Sequence, residues 1–191
     1  MSLDVAATGY LDYALRQAER EGHGHGRALL AAGYRPVSGA FGVERQRATP
    51  ASALEEDFTW HGEGRVVGLS ARVGDRRVLH SPMWLPQEWD LALNERRSGL
   101  FLNQGYPLTL DEQFDLLAPG SKGTQLPPAA RNDAAPLRWS LEWAEAGNGR
   151  LTARFHAELP RGELSLTEAA AFQDQLRALR GALAADVAFS P

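Results

Sequence analysis

The sequence predicts an α+β domain, mainly antiparallel β arranged as a sandwich or strongly bent sheet, with an N-terminal helical segment and a C-terminal amphipathic helix packed on the sheet. Three observations carry this. In Leu137 to Leu159, apolar residues recur at every second position on both sides of Asn148-Gly149: Leu137, Trp139, Leu141 and Trp143, then Leu151, Ala153, Phe155, Ala157 and Leu159. Successive side chains of a strand point to opposite faces, so each run has one apolar and one polar face, and Asn-Gly takes the positive φ values of a tight hairpin. After Ser165, the residues Phe172, Leu176, Leu179 and Leu183 recur at spacings of four, three and four, which is one stripe of a helix. Between Phe58 and Leu117, short aromatic and branched runs are cut by turn residues, bringing the expected total to roughly seven to nine short strands.

In chain order, three parts are expected: a helical segment over 1–36, a connection over 37–57, and the antiparallel β domain with its C-terminal helix over 58–191. Leu3 to Ala32 reads as helical, because Tyr10, Leu11, Ala14, Leu15 and Ala18 form one stripe with Arg16, Glu19, Arg20 and Glu21 mainly off it. Gly22-His23-Gly24-His25-Gly26 interrupts that helix, since a mid-helix glycine costs roughly 1 kcal/mol relative to alanine. A second short helix, Arg27 to Ala32, then ends at Gly33 as a C-cap. In the connection, a short strand near Ala40 to Val43 and a helical turn from Ser52 to Glu56 are expected.

Strands are next expected through Phe58 and Trp60, Val66 to Val73, and Val78 and Leu79, the last two joined by a tight turn at Gly74-Asp75. Further short strands are expected at Pro82 to Leu85, Trp89 to Leu93 and Leu100 to Leu102. Pro107 to Leu117 alternates except at Asp111 to Gln113, which reads as a bulge or kink. Lys122 to Pro136, rich in proline, glycine and alanine, reads as a loop. The final helix opens with Ser165 and Glu168, a capping box in which hydroxyl and carboxylate each satisfy a free backbone N–H. Such a helix is marginal alone in water, so its stripe should pack on the preceding hairpin.

Composition narrows the function. The 191 residues are 43% hydrophobic, enough for a real core. With no cysteine, disulfides, thiolate metal sites and cysteine nucleophiles are excluded. A net charge of -4 and a pI near 5.7 argue against nucleic acid as a general partner. No run approaches the ~18 apolar residues of a membrane span, and no basic-then-apolar leader opens the chain. The chain as given reads as cytoplasmic, or as belonging to the cell envelope if it is part of a larger secreted protein.

No residue is assigned a catalytic, cofactor-binding or metal-binding role. His23 and His25 sit two apart on a glycine loop and read as a solvated turn, because a metal site needs further ligands. His61, His80 and His156, each with nearby carboxylates, would serve a metal-dependent or serine hydrolase, and His156 falls on a polar strand face. Ser70, Ser81 and Ser98 lack a Gly-x-Ser-x-Gly context. The five tryptophans, Trp60, Trp84, Trp89, Trp139 and Trp143, read as core; any that are exposed would form a contact surface for a peptide or glycan.

The run Gly105-Tyr106-Pro107-Leu108, the Leu126-Pro127 loop, the hairpin, and Leu159-Pro160-Arg161-Gly162-Glu163-Leu164-Ser165 leading into a helix with Phe172 and Leu176 together resemble the C-terminal β-rich domain of bacterial transglutaminase-like proteins. In that family a domain of unknown function, a transglutaminase-like domain and a final β-rich domain follow one another. The resemblance covers roughly Phe58 to Phe189 and implies a non-enzymatic accessory domain that positions a neighbouring domain or binds a peptide or glycan. The enzymatic part of that family uses a cysteine, histidine and aspartate triad. Without a cysteine, nothing of the triad carries over, although Leu29-Leu30-Ala31-Ala32-Gly33, within Gly26 to Pro36, resembles the helix after the nucleophile.

Overall fold

The structure is a computed structural model and describes residues 2–7, 9–21, 29, 33–94, 97–103, 105–117 and 122–190. The first elements are β1 (Ser2–Ala7), α1 (Gly9–Arg20), β2 (Tyr34–Pro36), β3 (Ala40–Ala48), β4 (Phe58–Val67), β5 (Ser70–Val73) and β6 (Arg76–Leu79). They are followed by β7 (Trp84–Pro86), α2 (Trp89–Ala92), β8 (Leu100–Phe101), β9 (Leu108–Leu117), β10 (Lys122–Gln125) and β11 (Ala130–Asn132). The chain closes with β12 (Arg138–Glu145), β13 (Arg150–Leu159), β14 (Glu163–Leu164), α3 (Leu166–Leu183) and β15 (Val187–Ser190). The fold is mainly antiparallel β with the C-terminal helix packed on the sheet, as the alternation requires.

A seven-stranded sheet of order β11-β12-β13-β9-β1-β4-β3 is the body of the molecule. A four-stranded sheet, β10-β15-β6-β5, and two ribbons, β14-β8 and β2-β7, complete it. Along β13 burial alternates without interruption, with Leu151, Ala153, Phe155, Ala157 and Leu159 inward. The β12–β13 turn has positive φ at Gly147, Asn148 and Gly149, which lets the strands pair from Glu145 and Leu151 onward. Ser165 accepts from the Glu168 N–H and Glu168 accepts from the Ser165 N–H, so the capping box forms. Phe172, Leu176, Leu179 and Leu183 are buried, and the helix packs on β11, β12, β14 and α2. Trp89 meets Phe172 edge-on at 5.8 Å, linking α2 to that stripe.

Several expectations are corrected. The segment read as helical from Leu3 begins instead with β1, a central strand paired to β4 on one side and β9 on the other. Five of its six residues are paired on both edges and held by neighbours, and tertiary pairing overrides weak local preference. β1 and β3 share one sheet with β4 and β9, so the sheet draws strands from all three of the expected parts. The strand near Ala40 to Val43 runs on to Ala48, and Ser52 to Glu56 forms turns rather than a helical turn. Trp89 to Ala92 is helical rather than extended. The stretch expected to be a loop after Lys122 contains β10 and β11. No bulge breaks β9 at Asp111 to Gln113, whose pairing with β13 is continuous. The apparent break arises because Glu112 occupies an inward position and is buried there.

Arg16 was expected off the apolar stripe of α1, yet it is 4% exposed. Its guanidinium pairs with Asp12, donates to the carbonyls of Pro50 and Ala53 at 3.1 and 2.9 Å, and lies 5.5 Å over the Phe58 ring. A buried arginine is tolerable when its fork of donors is filled, and here the filling ties the β3–β4 connection to α1. The second helix expected at Arg27 to Ala32 and the His23, His25 loop lie outside the described residues, apart from Leu29, which is helical and buried.

Candidate functional site

The inner face of the large sheet is filled by Phe58, Phe114, Phe155 and their neighbours, so the side chains between them project from the other face. There, a hollow of about 1490 Å³ touches all seven strands, from Arg131 on β11 to Arg47 on β3. The hollow therefore runs along the whole width of this face. Thr49, Pro50 and Glu56 form one wall, the segment that Arg16 fastens, and Ala129 and Ala130 form the other.

Register sets the floor. One cross-strand row runs Glu142, Arg154, Gln113, Asp4, His61 and Arg47. The next row runs Arg131, Ser140, His156, Asp111, Ala6 and Thr59. Residues directly opposite on antiparallel strands have Cβ atoms ~5 Å apart, so the rows place charges from distant chain segments side by side.

Two clusters of the same design stand on this floor. His61 Nδ1 donates to Asp4 Oδ1 at 2.6 Å, and His61 Nε2 lies 3.7 Å from Glu63 Oε1. His156 Nδ1 donates to Asp111 Oδ1 at 2.6 Å, and His156 Nε2 lies 3.2 Å from Glu158 Oε1. In each, a His-x-Glu strand faces an aspartate on the neighbouring strand, and β1 and β9, which carry the aspartates, pair with each other. The hydrogen bond to Asp4 is the largest influence on His61 and raises its pKa above the ordinary value. Burial acts to lower that of His156, but Asp111 and Glu158 outweigh it, and it too is raised.

This geometry bears on hydrolysis. A general base needs a neutral nitrogen aimed at the nucleophile while the other nitrogen is held by a carboxylate. Here the second nitrogen of each histidine meets another carboxylate, an arrangement that holds imidazolium rather than base. Ser140 stands directly opposite His156, but the Nε2 it would need faces Glu158. His80 lies off the groove with its Nδ1 2.7 Å from Asp186. The structure therefore brings His61 and His156 to one surface and leaves His80 apart. Ser81 is buried, and Ser70 and Ser98 are exposed, none of them on the groove floor. Among the described residues, no group of three histidines or carboxylates is arranged to hold a metal ion.

The tryptophans take no part in the surface. Trp60, Trp84, Trp89, Trp139 and Trp143 are all buried, so the contact surface expected of exposed aromatics is not made by them. The reason lies in the pattern: Trp60, Trp139 and Trp143 occupy inward positions of alternating strands. The Trp60 ring lies against the backbone of Gly62, where an added Cβ would stand 2.1 Å from it.

Directly beneath the floor, Glu112 points to the core between Asp111 and Gln113. Its Oε2 accepts the Trp84 N–H at 2.9 Å. Burial disfavours the charged form and raises its pKa to about 8, against the Trp84 bond, which favours the carboxylate. Sequence reasoning missed Asp4, Asp111, Ser140, Arg47 and Arg154 as neighbours. The repeated His-x-Glu, at His61-Gly62-Glu63 and His156-Ala157-Glu158, was the one local signal that could have paired them.

Comparison of the chain with family models, curated proteins and solved structures finds no match. The functional reading rests on the groove.

Proposed function

We propose that this is a non-enzymatic binding domain whose sheet face holds an extended, polar peptide. The observation that carries the reading is the groove across all seven strands, floored by charged side chains in register. Seven strands at ~4.8 Å give a floor roughly 29 Å wide, enough for about eight residues of extended chain. The guanidinium groups of Arg47 and Arg154 form no hydrogen bond or ion pair among the described residues, so donors remain for a ligand's carbonyls and carboxylates. Burial of all five tryptophans favours peptide over glycan, since the flat aromatic platforms on which sugar rings stack are turned into the core. The resemblance to the C-terminal domain of transglutaminase-like proteins fits the same reading, in which the peptide belongs to a neighbouring domain.

The test is selection from a random peptide library, followed by mapping of amide shifts on adding a selected peptide. Shifts centred on Asp4, Gln113, Arg154 and His156 are expected, with affinity lost in Arg47→Glu and Arg154→Glu. Binding confined to another surface would refute the reading. Hydrolysis of ester or amide probes that is lost in Ser140→Ala and His156→Gln would replace it with the hydrolase.

A further inference from the structure

Under the groove floor, the inner side of β9 meets the β2–β7 ribbon. Tyr34 pairs with Pro86 and Pro36 with Trp84, and the ribbon extends through bonds from Val37 N–H to Met83 O and from Gln87 N–H to Gly33 O. Where this ribbon touches β9 there is a cavity of about 10 Å³ lined by Tyr34, Trp84, Leu11, Leu110 and Glu112, among others. That is about one probe sphere, the least space that admits a water, and a buried water needs two or more polar partners. Two are available. Tyr34 is 3% exposed and its hydroxyl meets no partner among the described residues, while Glu112 has used one oxygen on the Trp84 N–H. Buried hydroxyls are nearly always bonded, so a lone one beside a water-sized space needs an explanation.

We propose that Glu112 and Tyr34 form a buried proton-and-water site: one water in this cavity joins the Glu112 carboxylic acid to the Tyr34 hydroxyl, and the joined groups fasten the β2–β7 ribbon to the main sheet. Both strands of the ribbon then depend on one residue of β9, Trp84 through its N–H and Tyr34 through the water. Ionising Glu112 places a charge there that no cation among the described residues answers. On the ribbon side stand Tyr34 and, beyond β7, Glu88, which accepts from Tyr106 Oη and the Asn103 N–H. On the α1 side, Tyr10 acts on Tyr34, and the nearest turn's Arg16 is committed to Asp12 and to backbone carbonyls. Asp111 projects from the opposite face of β9. Burial, the main influence on Glu112, resists the charge until about pH 8, and above that the ribbon loosens.

The experiment follows the full chain, 15N-labelled, from pH 6 to pH 10 as wild type, Glu112→Gln and Tyr34→Phe. The Trp84 amide and the ribbon amides over 34–36 and 84–86 are expected to move together with one midpoint near pH 8 in the wild type. In Glu112→Gln, which keeps the acceptor and cannot ionise, they stay fixed. At pH 6 a long-lived water is expected to show a cross-relaxation signal to the Trp84 amide, present in the wild type and lost in Tyr34→Phe. A titration that persists in Glu112→Gln, ribbon amides that stay fixed to pH 10 in the wild type, or absence of the water signal at pH 6 would overturn the proposal. Should Glu112→Gln fail to fold, the Glu112 carboxyl carbon followed directly in the wild type, together with Tyr34→Phe, decides it.

Discussion

The two faces of the seven-stranded sheet are made by the same strands and obey opposite rules. Inward, β9 and β13 offer Leu108, Leu110, Phe114, Leu116, Leu151, Phe155 and Leu159, and the only ionisable side chain on that face of either strand is Glu112. Outward, the same strands offer Asp111, Gln113, Asp115, Arg154, His156 and Glu158, half in water. Burial of a large apolar side chain is worth about 1.5–3 kcal/mol, whereas an exposed ion pair is worth ~0–1 kcal/mol. One face therefore carries the stability, and the other is free to vary in chemistry without loss of fold. A charge costs little where it stands outside and a great deal where it stands inside, which is why Glu112 is the anomaly of the sheet.

The comparison breaks most sharply at the core. Trp139→Ala and Phe155→Ala should each destabilise the protein by about 3–5 kcal/mol in urea unfolding, through lost burial and the cavity left behind. Next comes pH. The pKa of Glu112 is raised to about 8, so between the unfolded value of 4.5 and that point the native state holds a proton that the unfolded chain has lost. Stability is then greatest below pH 4.5 as far as this group is concerned, and it falls as pH rises to 8, by at most ~1.4 kcal/mol per pH unit and on the order of 5 kcal/mol in all. Glu112→Gln should flatten that fall when melting is followed from pH 5 to pH 9. The raised values of His61 and His156 act with the same sign, their contribution being present below the unfolded histidine value and lost as pH rises through the folded one. Being partly exposed, they should leave only a shallow slope in Glu112→Gln. Smaller again, Ser165→Ala removes one half of the capping box and should cost about 1 kcal/mol. Smallest is Arg154→Ala, on the outer face, at about 0.5 kcal/mol or less.

How much of this could be read from sequence follows from how local each signal is. The β12–β13 hairpin and α3 were legible because alternation, Asn148-Gly149, the Ser165 and Glu168 pair and the leucine spacing all lie within a few residues of one another. β1 was not, because Ser-Leu-Asp-Val-Ala-Ala acquires its strand character only from β4 and β9, more than fifty residues away. At Glu112 the alternation was interrupted in the chemistry of the side chain and not in the backbone, so a polar residue at an inward position was mistaken for a change of register. The groove is the least local feature of all. Asp4 meets His61, and Asp111 meets His156, across 57 and 45 residues, and nothing but strand order brings them together. Arg16 escaped for a related reason: its partners are carbonyls of a connection that follows two strands later.

A substitution scan along β13, read for both melting temperature and affinity for a library-selected peptide, tests most directly the claim that one face folds and the other binds. Leu151→Ala, Phe155→Ala and Leu159→Ala should lower the melting temperature by several degrees each. Thr152→Ala, Arg154→Ala, His156→Ala and Glu158→Ala should leave it within about a degree or two while weakening peptide binding, most of all at Arg154 and His156. If the outward substitutions proved as destabilising as the inward ones, or left peptide affinity untouched, the division of labour between the two faces would be contradicted.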